Sequence, residues 1–226
     1  RQRRRTKMII FRYNLELEDF LFYAREAIAG TVTPRCLHAT AVNYALAYAM
    51  NLFPEKQPYF MVTSEGRNVP EYSSSLIPGA GFYATPASLE SSYGKELATF
   101  LVKGDREGYG SITGKGGEVL RVSRVSMLPP GTVFTGFILC KEAIMFPERI
   151  RLGRFRSPVR VSLQKASKVV PGEGGVASHP VDPLVTHAKK GVLIPMLPYP
   201  LVNHACTDRC LRVDIGGERC YVALPD

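Results

Sequence analysis

Beyond residue 57 the apolar and aromatic runs are short, and each is cut off by Gly, Pro or Ser: "PYFMVT", "AGFYATP", "VLRVSRVSM" and "GTVFTGFILC". A globular helix needs roughly ten or more residues of sustained period, so runs this brief, bounded by turn formers, read as strands. With 20 Gly and 17 Pro in 226 residues, the turn signals are frequent enough to separate many of them. Most of the chain is therefore committed to sheet.

One earlier segment has a different period. In "TPRCLHATAVNYALAYAMNLFP" the residues Leu37, Ala41, Tyr44, Ala45, Tyr48 and Leu52 recur at helical spacing. Thr33 can cap this helix, Pro34 suits its first turn, and Pro54 stops it. Ahead of it "KMIIFRYNLEL" reads as a strand, with Ile10, Arg12 and Asn14 on one face and Ile9, Phe11, Tyr13 and Leu15 on the other. A β-α-β-β opening followed by more strands predicts an α+β protein. Its core would be a ferredoxin-like, RRM-type antiparallel sheet with one main helix, plus loop and strand insertions.

The length fits a single domain over residues 1–226, with no internal repeat. Apolar residues at 45% supply a core, and 22% charged residues is ordinary for a folded chain. Two segments, near 104–118 and 171–183, are rich in Gly or Pro and are expected to be flexible loops. The longest apolar run, around "AVNYALAYAM", falls far short of the ~20 residues that cross a bilayer, and Arg12 interrupts any signal core after "MII". No membrane association and a cytoplasmic location are expected. The five cysteines, at 36, 140, 206, 210 and 220, then read as free thiols. The opening "RQRRRTK" resembles a basic arm.

Net charge is +9, and it is unevenly spread. From Arg149 to Lys168 there are seven cations and no acid: Arg149, Arg151, Arg154, Arg156, Arg160, Lys165 and Lys168. Like charges at strand spacing repel, so the run calls for an anionic partner. Arg149 and Arg151 share one strand face, whereas beyond Gly153 the cations fall on even positions, so a bulge or kink at Gly153 would return them to one surface. Pro158 marks an edge or a broken strand. Phe155, between Arg154 and Arg156, offers a face on which a base can stack while arginine forks hold phosphates. Arg121 and Arg124 extend the basic surface. Single-stranded RNA is the ligand this pattern favours.

Other motifs carry less. The Gly-rich loop around Lys115 lacks P-loop spacing, since Gly108 is one residue too far and Gly110 one too close, and Gly116 stands where a hydroxyl would bind magnesium. His204, Cys206, Cys210 and Cys220 do not form the tight knuckle pairs of structural zinc, so no metal and no cofactor are expected. Acid-base cleavage of RNA would draw on His38, His179, His187 or His204 with Tyr44 or a lysine, but nothing in the sequence fixes their mutual geometry.

The stretches "LFYAREAIAG", "LHATAVNYALAYAMN", "QPYF", "FYATPAS", "RLGRFRSPVRVS" and "HPVDPLVTHAKKGVLIPMLPYPLVNHA", in that order, resemble the Csc-one family. This is the Cas-five-type (RAMP superfamily) subunit of type I-D CRISPR Cascade complexes. The resemblance implies a non-catalytic RRM-like protein in an antiviral surveillance particle. It would grip the 5′ handle of the guide CRISPR RNA and cap the backbone filament. Its protein neighbours would be a Cas-seven-type backbone subunit and the Cas-ten-type large subunit, near the protospacer-adjacent motif of target DNA. Carried onto this chain, it makes Arg151, Arg154, Phe155, Arg156 and Arg160 guide contacts, with Arg35 and His38 as further candidates. It assigns no role to the arginine-rich start or the C-terminal cysteines. A metal-independent endoribonuclease that processes guide precursors, and a purely protein-contacting scaffold, are the alternatives.

Overall fold

The alternation in "IIFRYNLEL" produces β1 (Ile9–Leu17), which buries Tyr13, Leu15 and Leu17 on one face and Ile10 on the other, with the predicted parity. The computed structural model describes residues 8–23, 31–33, 35–52, 75–90, 98–103, 122–196 and 198–226. The candidate loop at 104–118 lies outside them.

After β2 (Thr31–Val32) and β3 (Cys36–Leu37) comes α1 (Ala39–Ala49), the one helix among the described residues. It begins later than its sequence period suggests, because Cys36 and Leu37 pair as strand with Ser88 and Ala87. Thr33 is accordingly not its cap. His38 takes that place, its Nδ1 accepting from the Thr40 N–H at 3.1 Å. The helix also rolls away from the predicted face: Val42, Asn43, Ala45 and Leu46 are buried, whereas Ala41, Tyr48 and Leu52 are exposed and Tyr44 is half-buried. Alanines at 39, 45 and 47 share the buried side of α1 with Val42, Asn43 and Leu46, and Tyr48 is left outside.

The chain continues through β4 (Phe82–Ala84), β5 (Ala87–Leu89), β6 (Ala98–Lys103), β7 (Val122–Met127), β8 (Val133–Cys140), β9 (Arg149–Leu152) and β10 (Ser157–Lys165). The main sheet has the order β3-β5-β8-β1-β10-β9, and β4 also pairs with β8; all its ladders are antiparallel. A second sheet, β2-β7-β6, stands apart. The C-terminal third adds β11 (Lys168–Pro171), β12 (Gly175–Val176), β13 (Lys190–Ile194), β14 (Leu201–Thr207), β15 (Cys210–Ile215) and β16 (Glu218–Ala223). These form two small sheets, β11-β15-β16 and β12-β14-β13. The result is an α+β protein of mostly antiparallel sheet. No helix among the described residues is long and apolar enough to cross a membrane.

The main sheet is packed on both faces. On one, Tyr13, Leu15, Phe134, Ile138, Ile150 and Val159 meet Val42 and Leu46 of α1. On the other, Ile10, Phe137 and Leu139 meet Val213, Ile215 and Val222 of the C-terminal hairpin. Tyr13, wholly buried, lies directly across from Gly136, where a Cβ would come within 2.4 Å of its hydroxyl. The glycine makes room for the ring, whose hydroxyl donates to the Thr85 carbonyl at 2.6 Å.

Thr85 and Pro86 interrupt the edge opposite β8, and side chains complete its hydrogen bonding. The Ala84 N–H donates to Asn43 Oδ1 at 2.8 Å, and Asn43 Nδ2 donates to the carbonyls of Ala84 at 2.7 Å and Ala39 at 2.8 Å. Asn43 thus replaces a neighbouring strand and fastens the helix to the sheet.

The segment near 171–183, expected to be a flexible loop, carries ordered structure. It contains β12, and His179, Val181 and Asp182 are buried. Val181 exchanges backbone hydrogen bonds with Val202. The Asp182 carboxylate accepts from Ser75 Oγ, from the Tyr199 hydroxyl at 2.9 Å and from the Leu184 N–H at 3.0 Å. The Tyr199 ring meets His38 edge-on, with centroids 4.5 Å apart.

Truncating Asn43→Ala would strand the buried N–H and C=O of Ala84, so urea unfolding should show a loss of about 3 kcal/mol at unchanged m-value. An unshifted midpoint would contradict the clamp. Acid sensitivity follows from two buried histidines. Burial depresses His38 and His179 from 6.5 to about 4. Each also uses a bare ring nitrogen as acceptor, His38 from Thr40 and His179 from the Ala223 N–H at 3.2 Å. Between pH 6.5 and about 4 the unfolded chain binds protons that the folded chain refuses, so stability should fall as the pH drops through that window. Each histidine would contribute up to about 3 kcal/mol of that loss. Denaturation at pH 7.5 and at pH 5 checks this, and His179→Gln should flatten the dependence.

Candidate nucleic-acid interface

Gly153 does not kink a continuous strand, as the sequence suggested; it begins a turn that reverses the chain between β9 and β10. The Arg156 N–H closes the turn on the Gly153 carbonyl at 3.2 Å. Gly153 has φ +73°, and a Cβ there would lie 2.6 Å from the Phe22 carbonyl oxygen, so both conformation and space demand glycine. The reversal still brings arginines onto one face, because register places Arg149 opposite Arg160 and Arg151 opposite Pro158, with Ile150, Leu152 and Val159 inward. β9 is the edge of the main sheet, whereas Pro158, expected to mark an edge or a broken strand, stands near the start of β10, which lies between β1 and β9.

The turn is anchored from below. The Arg154 N–H donates to the Phe22 carbonyl at 2.8 Å, and Ser157 Oγ donates to the Phe20 carbonyl. Phe155 stacks on the buried Phe22 with centroids 5.5 Å apart and planes at 29°, and remains 47% exposed. Arg151 Nη1 donates to the Arg156 carbonyl at 3.0 Å. Arg154, Phe155 and Arg156 are exposed at the tip.

Two of the cations find acids that the basic stretch itself lacks. Arg149 Nε donates to both oxygens of Glu18, at 3.2 and 3.0 Å. Arg160 lies 3.2 Å from the same carboxylate and 3.5 Å from that of Glu16, its cross-strand partner on β1. The Arg149 hydrogen bond, aided by Arg160, holds the Glu18 carboxyl below its usual value. These pairs are solvent-exposed, so a phosphate can compete for both arginines. The signal was in "LELED", where Glu16 and Glu18 alternate onto one strand face; what the sequence did not reveal was that this strand pairs with β10.

The remaining candidates are dispersed. Lys165, at the far end of β10, stands roughly 27 Å along the strand from Ser157 at ordinary rise, and Lys168 follows on β11 opposite Asp214. Arg35 is exposed beside β3, at the other edge of the main sheet. Arg124 belongs to β7 in a separate sheet, and Arg121 lies outside the described residues. His38 is 2% exposed, because it caps α1 beneath Tyr199, so it is not placed to touch RNA.

Tyr48 escaped the sequence reading of the site. The helix roll leaves it 50% exposed beside β9, where Tyr48, Ala49, Arg149, Ile150, Arg151 and Pro158 line an open notch. As for acid-base candidates, His179 is buried with Nδ1 2.6 Å from the Pro180 carbonyl oxygen, whereas His187 and His204 are exposed. Among the described residues no three His, Cys, Asp or Glu side chains cluster to hold a metal ion.

No curated protein matches this sequence. The family described as type I-D CRISPR-associated protein Cas5/Csc1 matches it over residues 8–222, which takes in β1, α1, the arginine turn and the C-terminal hairpin almost to its last strand residue. The chain therefore belongs to the type I-D CRISPR-associated Cas5/Csc1 family.

Proposed function

We propose that this protein is a non-catalytic subunit of a cytoplasmic type I-D CRISPR effector, and that the β9–β10 turn holds the 5′ handle of the guide RNA. The observation that carries the reading is the combination of a fixed backbone and exposed chemistry at residues 153–156. Arg156 sits at φ +53°, a conformation that costs a side-chain-bearing residue about 1–2 kcal/mol and that Gly or Asn adopts more easily. The turn thus holds an exposed arginine in a restricted backbone conformation at its tip. Guanidinium forks suit phosphate oxygens, and the outer surface of Phe155 suits an unpaired base.

The sheet supports the same reading. The order β5-β8-β1-β10, with α1 between β1 and the β4–β5 edge, supports reading this mostly antiparallel sheet as a ferredoxin-like, RRM-type platform without its second helix. The two buried histidines favour binding over cleavage, because each is shut away from solvent and already bonded to the backbone. In the assembled particle the subunit would cap the backbone filament of Cas-seven-type subunits. It would also touch the Cas-ten-type large subunit near the protospacer-adjacent motif of target DNA.

Reversing charge at Arg154 and Arg156 together should weaken binding of repeat-derived RNA by at least about tenfold and reduce the salt dependence of binding. Unchanged RNA retention would instead favour the scaffold alternative. Specific RNA cleavage in chelator by the purified protein would defeat the non-catalytic reading. Glu18→Gln should act in the opposite direction, tightening RNA binding severalfold by releasing Arg149 and Arg160, with little change in melting temperature. Weaker binding by this variant would show that Glu18 positions the arginines rather than competing with RNA.

A further inference from the structure

We infer that the outer edge of β9 docks an extended segment of a neighbouring protein, which adds one strand to the main sheet. That segment carries an acidic, an apolar and an acidic residue in succession, opposite Arg149, Ile150 and Arg151. The inference goes beyond the guide-RNA reading, because it rests on main-chain groups of β9 and not on the turn at 153–156.

In a ladder, successive residues send their N–H and C=O groups to alternate sides of the strand. The Glu18 N–H donates to the Pro158 carbonyl, so Pro158 turns its main chain toward β1. The Val161 N–H donates to the Glu148 carbonyl, so Val159 and Val161 turn theirs toward β9, where Ile150 is the partner of Val159. The N–H and C=O groups of Arg149 and Arg151 therefore project from the outer edge, and no described residue bonds them. Each of these residues can exchange a pair of hydrogen bonds with a strand laid alongside. A nucleotide chain has no matching repeat of donors and acceptors and cannot complete the ladder.

The two faces of the sheet then dictate the sequence of the occupant, because side chains directly across a ladder share a face. Opposite Ile150 the added residue lies on the α1 side, where Tyr48 and Ala49 border the edge, and it is apolar. Opposite Arg149 and Arg151 the added residues lie on the other side of the sheet, with the guanidiniums. Glu18 holds Arg149 there through Nε, and the Arg156 carbonyl holds Arg151 through Nη1. A guanidinium has five N–H groups, so both arginines keep donors to offer, and carboxylates suit them. A second copy of this chain is a poor occupant, since antiparallel pairing of β9 with itself about Ile150 sets arginine against arginine. The edge thus selects a different protein, one with an acidic face on its strand.

The test uses the full chain and a short labelled peptide in which valine and glutamate alternate. Binding should be saturable by fluorescence anisotropy, and at saturation amide hydrogen exchange at Arg149 and Arg151 should slow at least about tenfold. Methylating the glutamate amides, which face β9, should abolish binding, whereas methylating the valine amides should leave it. A valine–lysine peptide should bind at least about fivefold more weakly to the parent, and Arg151→Glu should reverse that preference. Arg151→Pro removes an outward N–H without touching the ladder to β10, so it should bind the peptide far more weakly than Arg151→Ala. Equal binding of both methylated peptides would mean that the guanidiniums alone attract the peptide, and would overturn the added strand. Absence of peptide binding and of protection, with repeat RNA still bound, would overturn it too and leave the guide-RNA reading standing. Protection of the same two amides by repeat RNA but not by the peptide would give the edge to RNA and sink the proposal. If the peptide behaves as expected and repeat RNA does not bind, the added strand stands and the guide-RNA reading fails.

Discussion

A side-chain amide does the work of a missing strand. Among the described residues β4 has β8 as its strand partner on one side, and the carbonyl and amide of Ala84, which point to the other side, would be left buried and unbonded. Asn43 meets both groups from the helix side, and the Tyr13 hydroxyl meets the carbonyl of Thr85 from within the core. Those bonds fix where α1 lies on the sheet and how it is rotated. The rotation in turn decides that Val42 and Leu46 point inward and that Tyr48 emerges next to β9. The composition of the basic edge is thus set by polar bonds made some distance from it.

The periodic elements were legible because periodicity is a local property. The two faces of β1 follow from alternation alone, and the existence of α1 follows from a run of helix-compatible residues between prolines. The helix boundary and its buried face were not legible. A 3.6-residue period marks several candidate stripes in an alanine-rich segment, and choosing among them depends on which one fits the sheet most closely. Tyr44, Tyr48 and Leu52 form the more hydrophobic stripe to the eye, yet Val42, Asn43, Ala45 and Leu46 form the stripe that packs. Similarly, the N-cap passed from Thr33 to His38 because Cys36 and Leu37 found strand partners some fifty residues ahead.

The site shows the same division. That Arg149 and Arg151 would share a face could be read directly, whereas Gly153 read as a bulge or kink and in fact begins a reversal, because β10 folds back to pair with β9. The Glu18 clamp on Arg149 and Arg160 could not be read at all, since it depends on β1 and β10 lying side by side with Glu16 across from Arg160. A run of seven cations in sequence is consequently a smaller and more divided positive surface in space, with Lys165 and Lys168 drawn off along β10 and into β11. Charge counted along a chain overstates charge gathered at a point whenever acids from another strand intervene.

The tip of the arginine hairpin separates support from display. Its main chain is secured to Phe22 through the Arg154 N–H, a bond that any residue with the same backbone would make, while the Ser157 hydroxyl ties it to Phe20 and Gly153 is dictated by its surroundings. Positions 154 to 156 project outward from that mount. Residues there can be exchanged without rebuilding the sheet beneath, so the surface displayed at this tip can vary while the frame stays unaltered.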